Sequence, residues 1–428
     1  MTYTELKNIQ YTWKGKVCLF GAGLIGCTWG YNIIKTIGFN IDYYCDNNKK
    51  ENTIIKNGIR IIPLQKLYSF KENVLIFITV IDRNQESIKE QLKENGIVNI
   101  VEMDNFFLQT FCESLFEIND KDLNEKYKFI LDDEEFLKML FEERLGYALD
   151  LENPLTYNEK LQWLKLYDRE KAYNRLVDKY EVKKYIGRYV GEEYVVPTLG
   201  VWNNFSEIDF DLLPNQFVLK CTHDSGSVII CKNKELLNIN KTKKILENAL
   251  QRNWYWCRRE WVYKDVRPRI MAEKYLEDSQ DGELRDYKLF CFHGCVKALL
   301  IATGRMGIGE AKTDFFDAEL NHINMRSGHP NSEVSPHLPI NYLKMKEVAE
   351  NISSNIPHLR VDFYEVNGRV YIGELTFCHQ SGMVALEPWE KDIEWGGWIH
   401  LDKVLIQLTI LCPFSHSATS SGIISTGS

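Results

Sequence analysis

The sequence has little that would carry the chain out of the cell, into a membrane or onto nucleic acid. Its N-terminus, MTYTELKNIQYTWKGK, lacks the apolar stretch and cleavage site of a secretory leader. Its longest apolar runs, such as VLIFITVI from Val74 to Ile81, fall far short of the about 20 apolar residues that span a bilayer. The 11 cysteines are scattered, with no C-x-x-C pair and no metal-binding spacing. That usage fits a reducing cytoplasm and makes most of them small buried hydrophobes. A net charge of −8 argues against non-specific binding to nucleic acid or to an anionic membrane surface. There is no G-x-S-x-G, which removes the commonest hydrolase elbow, and no internal repeat. The expected setting is the cytoplasm; the oligomeric state is left open, with a homodimer one option.

What the chain does have is length and alternation. Its 428 residues suggest two or three domains. Over residues 1–106, strands at KVCLF, IDYYCD and NVLIFITV alternate with helices, including one running from the glycine turn to about Gly38. This implies a Rossmann-like parallel sheet with right-handed crossovers. Residues 107–177 read as a helical connector: FLKMLFEERLGYAL has apolar residues at helical spacing, and Thr156 with Glu159 makes a capping box. Residues 178–412 read as an α+β domain, with antiparallel pairing predicted around the Asn367-Gly368 turn. The polar tail, 413–428, reads as disordered. The fold class is therefore α/β: a parallel sheet, a helical connector, then an α+β domain.

Gly21-Ala22-Gly23-Leu24-Ile25-Gly26 follows a strand and opens a helix, and Asp46 ends the next strand. In a dinucleotide-type turn the first glycine makes the bend, the second admits a phosphate and the third lets helix pack on strand. Asp46 would then hold ribose hydroxyls. The layout also resembles the small N-terminal domain of bacterial sugar N-acetyltransferases, which would imply a nucleotide or nucleotide-sugar here, or a vestigial site, rather than hydride transfer.

The second half carries charges on strands, where a buried face demands a partner or a function. Lys220 ends QFVLKC, Glu273 and Lys274 lie in RIMAEKYL, Asp286 and Lys288 in RDYKLF, Arg360 and Asp362 in LRVDF, and Glu374 in YIGELTF. Taken singly, each reads as a charge on a half-exposed strand. ATP explains them together, because a triphosphate needs cations and its magnesium needs carboxylates. Asp362 and Glu374 flank the Asn367-Gly368 turn, so a hairpin brings both to one ion.

The order and spacing of these motifs resemble the ATP-grasp fold from Asp178 to about Leu401. More narrowly, NPLTYNEKLQWLKLYDR and GELTFCHQSG resemble the TupA-like ATP-grasp proteins of bacterial cell-surface polysaccharide synthesis. The resemblance implies that Lys220 contacts the α- and β-phosphates. Lys179 makes a second contact, with Lys184 the alternative. The loop His223, Asp224, Ser225, Gly226, Ser227 closes over the phosphates. Glu273, Lys274 and Leu276 frame the adenine, and Glu277 or Asp278 reaches the ribose. Asp362 and Glu374 bind magnesium, with Thr376 standing where many relatives have Asn. Arg360 stabilises the transferring phosphate, and Asp286 and Lys288 act in phosphate or substrate binding.

The implied activity is an amide-forming ligase using ATP and Mg2+. A small-molecule carboxylate and an amine would be its substrates, one of them a uronic acid or amino acid of a capsular or other surface polysaccharide. Two other readings are a sugar kinase-like phosphotransferase and a non-catalytic nucleotide-sugar-binding assembly protein. Among the histidines, His379 is the best functional candidate. WYWCRREWVY, from Trp254 to Tyr263, reads as a packing helix rather than a sugar-stacking face.

Overall fold

The computed structural model describes residues 1–49, 53, 55, 57–80, 82–277, 284–304 and 311–401. Asp278 and the 413–428 tail lie outside them. Four parallel strands, β1 (Lys16–Phe20), β2 (Tyr43–Cys45), β3 (Val74–Ile78) and β4 (Ile100–Glu102), form one sheet in the order β2-β1-β3-β4. Every residue of β3 is buried, as expected when helices cover both faces of a parallel sheet.

The segment expected as a connector is divided among cores. Phe107, Phe111, Phe136, Leu140 and Phe141 join Leu19, Trp29 and Phe77 in one cluster, which Tyr255 and Trp256 also enter. Tyr157, Leu161 and Trp163 join a second cluster with Phe290 and Trp395. Tyr173, Leu176 and Val177 join a third. Tyr255 and Trp256 are buried, so the aromatic stretch packs, but not as the one helix expected: left-handed Arg259 (φ +54°) parts the short helix Tyr255–Arg258 from a 3-10 turn at Trp261–Tyr263. Arg259 fastens the joint: fully buried, it pairs with Asp133 at 3.2 Å and lies over the Phe136 and Trp256 rings.

The second half holds two antiparallel sheets. β5 (Thr198–Trp202), β6 (Phe217–Cys221), β7 (Ile229–Cys231) and β8 (Ile270–Lys274) pair in the order β5-β8-β6-β7. The larger sheet contains β9 (Asp286–Phe292), β10 (Cys295–Thr303), β11 (Lys312–Asp317), β12 (His322–Ile323), β13 (His358–Val366) and β14 (Arg369–Thr376). Its order is β12-β11-β10-β9-β13-β14. The β13–β14 hairpin turns at Asn367 and Gly368, both left-handed (φ +50° and +75°), the geometry that favours Asn-Gly in a two-residue hairpin. One face of this sheet packs Leu289, Val361 and Phe363 against the helix Tyr342–Ser353. The other packs Phe290, Phe292 and Phe315 against the helices Tyr157–Tyr167 and Trp389–Gly397. Among the described residues no helix is long and apolar enough to cross a membrane.

His358 is buried on the face of β13 that packs against the helix Tyr157–Tyr167. Its Nδ1–H donates to the Phe377 carbonyl (2.8 Å) and its Nε2 accepts from the Tyr157 hydroxyl (2.9 Å). Burial pulls its pKa down to about 4. Asp168, just beyond that helix, is pushed up to about 6 by burial and then by Glu170. Below about pH 6.5 the unfolded chain protonates His358 and the fold refuses that proton, so acidification costs stability. Asp168 has the opposite sign, because between about pH 6 and 4 the fold holds a proton that the unfolded chain has released. In urea denaturation at pH 7 and 5, His358→Gln should therefore flatten the acid loss of stability by on the order of 1–2 kcal/mol, and Asp168→Asn should steepen it. Identical pH slopes in all three proteins would refute the assignment.

Candidate functional site

At the N-terminal turn, two glycines are required by the chain itself. Gly21 has φ +112°, and a Cβ on Gly26 would lie 2.0 Å from the Gly21 carbonyl oxygen. Around Gly23, the position expected to admit a phosphate, nothing lies within 4 Å of such a Cβ. Asp46 folds back on the turn, accepting from the Ala22 N–H (2.8 Å) and from the Asn48 and Lys49 N–H groups (2.8 and 3.2 Å). The helix expected to run to Gly38 is broken: Leu24–Cys27 ends at Thr28, which has φ −122° and ψ −117°, and Trp29–Ile37 begins afresh. The Thr28 hydroxyl donates to the Leu24 carbonyl and the Tyr44 hydroxyl to the Gly26 carbonyl, which fixes the break.

In the small sheet, alternation puts Phe217, Leu219, Ile270 and Ala272 into a core under the helix Ile239–Leu250. Lys220 and Glu273 therefore share the opposite face. The register Val218↔Glu273 and Lys220↔Met271 makes them diagonal neighbours. Lys220 Nζ lies 2.6 Å from Glu273 Oε2, and Lys183 Nζ, from the helix Glu181–Tyr189, lies 2.8 Å from Oε1. Burial alone would raise the Glu273 carboxyl pKa, but the two lysines outweigh it and lower it. Lys183 was not among the expected residues. Its neighbour Lys184, the expected alternative, is exposed and pairs with Glu181; adjacent lysines in VKK carry no sequence cue to which one turns inward. Lys274 is exposed, its N–H donating to the Pro197 carbonyl (2.9 Å). Leu276 packs beside Val196, Val366 and Tyr371.

The expected phosphate loop divides into a base and a tip. His223 is buried and neutral, its Nε2–H shared by the Ala249 and Arg252 carbonyls (3.1 and 3.0 Å), with burial lowering its pKa. Ser227 donates to Asp224 Oδ1 (2.6 Å) and accepts from the Cys221 N–H (3.0 Å). These two side chains build the loop rather than facing out of it. Ser225 and Gly226 form the exposed tip, with Gly226 at φ +102° and open space around it. Lys179 reaches the same loop, donating through Nζ to the Asp224 carbonyl.

On the large sheet, the register Lys288↔Asp362↔Glu374 and Arg360↔Thr376 lays the remaining expected residues side by side. A bulge at Gly373 sets Glu374 opposite Asp362, and a Cβ there would lie 2.7 Å from the Tyr364 ring. Arg360 is the centre. Its Nε pairs with Asp362 Oδ1 at 2.6 Å. Its Nη2 donates to Asp362 Oδ2 (2.7 Å), Glu374 Oε1 (3.1 Å) and Thr376 Oγ1 (3.0 Å). Its Nη1 donates to His379 Nδ1 (2.8 Å). Lys288 Nζ pairs with Asp286 Oδ2 at 2.6 Å and with Asp362 Oδ2. Burial alone would lower the Arg360 pKa, but Asp362 and then Glu374 drive it further up. Burial, then Arg360 and Lys288, push the His379 pKa well down, so the ring is neutral.

The three expected metal ligands are gathered around the Arg360 Nη2 nitrogen, so a magnesium ion could use only the lone pairs that face away from it. Two carboxylates and a hydroxyl are the hard oxygen donors that a magnesium ion accepts, so the residues fit that ion. Among the described residues no group of three or more His, Cys, Asp or Glu could hold a metal, so a third oxygen would have to come from the hydroxyl of Thr376. The two sheets pack together where Val196 and Leu276 meet Val366, Tyr371 and the half-buried Tyr364 of the hairpin; the Tyr364 hydroxyl pKa is raised by burial and then by Asp286, Glu374, Asp362 and Glu273.

A family model described as TupA-like ATPgrasp matches residues 159–400, more than half of the chain. No curated protein matches. Among solved structures, D-alanine–D-alanine ligase from Bacillus anthracis is similar at 13% identity and TM-score 0.32, covering 93% of this chain and 99% of that one. Biotin carboxylase from Campylobacter jejuni is similar at 12% identity and TM-score 0.36, covering 91% and 72%. N5-carboxyaminoimidazole synthase from Aspergillus clavatus is similar at 10% identity and TM-score 0.29, covering 86% and 71%. At these scores the structural likenesses carry no functional argument.

The two neighbouring lysines give a direct test. Lys183→Met leaves Glu273 with one partner and should lower unfolding stability by about 2–3 kcal/mol, as breaking a buried pair does. Lys184→Met should change it by less than about 0.5 kcal/mol. Equal effects in chemical denaturation would contradict the geometry.

Proposed function

Since the chain belongs to the TupA-like ATP-grasp family, we propose that it is an ATP-dependent ligase joining a carboxylate to an amine. The observation that carries this reading is the packing, through Val196, Leu276 and Tyr364, of a sheet that presents Lys220 and Lys183 beside a sheet that presents Asp362 and Glu374. A magnesium nucleotide needs both kinds of group within one cleft. In this reading Lys220 and Lys179 hold phosphate oxygens, Lys183 keeps Glu273 in place beside the adenine, and the tip Ser225-Gly226 offers backbone N–H groups. Glu273, Lys274 and Leu276 frame the base. Asp362, Glu374 and Thr376 are the residues that would hold magnesium, which when bound would neutralise phosphate charge.

The chemistry asks for positioning more than for a covalent nucleophile. A substrate carboxylate oxygen attacks the γ-phosphorus, the bond to the β-phosphate oxygen breaks, and ADP leaves. The amine then attacks the acyl carbon, phosphate leaves, and the amine nitrogen gives up a proton. Arg360 stabilises the charge on the transferring phosphoryl group, and Lys288, held by Asp286, faces the same group. The sequence resemblance adds a finer reading, in which the acid or amine is a uronic acid or amino acid destined for a surface polysaccharide. For the N-terminal turn no ligand is proposed, because Asp46 is spent on the turn's own amides.

With Mg-ATP, ADP release should require a carboxylate and an amine together. Glu374→Ala should lower the rate by about 100-fold or more, measured by coupled ADP assay across a panel of uronic acids and amino acids. Full activity in Glu374→Ala would remove the metal assignment. A stable phosphorylated product without an amide would replace ligase by phosphotransferase.

A further inference from the structure

The segment after the carboxylate hairpin is held in an unusual conformation. Gln380, Ser381 and Gly382 are all left-handed, with φ +47°, +60° and +60°. For Gln and Ser this backbone conformation is strained, and it persists only where surrounding contacts impose it. Gln380 is held from outside by Ser327, which exchanges two hydrogen bonds with its side chain (3.1 and 3.2 Å), and by Arg258 Nη1, which donates to its carbonyl (3.3 Å); Ser381 and Gly382 are held by one buried helix, Tyr157–Tyr167. Gln162 Nε2 donates to the Ser381 and Gly382 carbonyls at 3.2 and 2.7 Å. Lys165 Nζ donates to the Ser381 carbonyl (2.7 Å), Ser381 Oγ (3.0 Å), Gln162 Oε1 (2.8 Å) and the Arg258 carbonyl (3.1 Å). A Cβ on Gly382 would lie 2.4 Å from Gln162 Nε2.

An ammonium buried on neutral oxygens is an expensive way to hold a turn, since hydrophobic packing serves stability as well or better. Burial pulls the Lys165 pKa down to about 8, which registers that cost. What the turn delivers is His379. The residue is 5% exposed, and its Nδ1 accepts from Arg360 Nη1 at 2.8 Å. That bond fixes the guanidinium plane, which holds Nη2 against one oxygen each of Asp362, Glu374 and Thr376.

We propose that Lys165 and His379 are positioning residues for Arg360: Lys165 clamps the left-handed turn, and the turn presents His379 as the acceptor that orients the guanidinium. The inference rests on the reading of Arg360 as the group that meets the transferring phosphoryl. A positioning role predicts a loss confined to the transition state, whereas a structural role weakens everything together.

The test compares Mg-ADP affinity with and without aluminium fluoride, a mimic of the transferring phosphoryl, by calorimetry on the full chain. Lys165→Met and His379→Ala should bind Mg-ADP within about twofold of wild type but lose the fluoroaluminate enhancement by about tenfold or more. His379→Asn, whose Oδ1 can accept in place of Nδ1, should recover most of it. Ser381→Gly removes one clamp contact while easing the left-handed cost, so it should stay folded and still lose part of the enhancement. An undiminished enhancement in Lys165→Met and Ser381→Gly, or a parallel loss of Mg-ADP affinity in His379→Ala, overturns the clamp. Wild type that binds no Mg-ADP overturns the nucleotide reading, and the clamp with it. Wild type that binds Mg-ADP without enhancement overturns the role of Arg360 at the phosphoryl group alone, and with it the clamp's purpose.

Discussion

A guanidinium buried on the face of a β-sheet has to recover its lost hydration from fixed neighbours, and in this chain the neighbours of Arg360 define the site. The side chain takes both oxygens of Asp362, one of Glu374, the hydroxyl of Thr376 and a ring nitrogen of His379. Each partner occupies a position dictated by pleat and register. Asp362 shares a face of β13 with Arg360, and Thr376 stands directly across on β14. Glu374 can join only because the bulge at Gly373 shifts the alternation by one residue. A regular hairpin would turn that carboxylate toward the opposite face.

The same requirement extends outward through contacts that look purely structural. Arg360 needs His379, His379 rides on a left-handed turn, and the turn is gripped by the helix Tyr157–Tyr167. That helix is itself anchored at its start, where Glu159 caps Thr156 and Asp392 accepts from the Asn158 backbone and side chain. From Lys165 the contacts continue to the Arg258 carbonyl. Arg259, next in sequence, is pinned by Asp133, which also pairs with Arg169. The core containing the parallel sheet is thereby tied to the catalytic-type face through a short run of charged side chains, each paired. Such a tie gives the N-terminal unit a mechanical role that does not depend on a ligand at its glycine turn.

Reading the sequence recovered the strands whose periodicity is strong and whose ends carry turn residues. QFVLKC, RDYKLF, LRVDF and YIGELTF form strands, and the Asn367-Gly368 hairpin pairs as its turn chemistry requires. Charges placed on those strands were legible because alternation alone tells which residues share a face. Less legible was anything set by side-chain reach. Lys183 and Lys184 are adjacent and chemically equal, and only the packing of Val182 and Ile186 decides which ammonium meets Glu273. His223 and Ser227 look like loop-tip residues until the chain turns them into its base. At the N-terminus, the glycine spacing reports two real backbone constraints at Gly21 and Gly26, while Asp46, which the same pattern assigns to a ribose, serves the turn itself. Folding therefore accounts for Gly21, Gly26 and Asp46, whereas the open space around Gly23 answers no constraint of the chain itself.

Charge sign gives a last reason for the arrangement of the two faces. On the small sheet two lysines, Lys183 and Lys220, share one glutamate, and Lys179 adds a third ammonium at the phosphate loop. That face keeps a surplus of positive charge. On the large sheet three carboxylates, Asp286, Asp362 and Glu374, meet one lysine and one arginine, and burial keeps His379 neutral, so a surplus of negative charge remains. A polyanion alone would suit only the first face, and a bare cation only the second. A magnesium nucleotide carries its phosphates and its metal side by side, and it can satisfy both surpluses without either face having to change its own pairs completely. Because the two sheets pack together beside Tyr364, the opposite surpluses also attract each other. The fold can hold the cleft together electrostatically while leaving each surplus available to the ligand, which neither a neutral cleft nor one of a single sign could do.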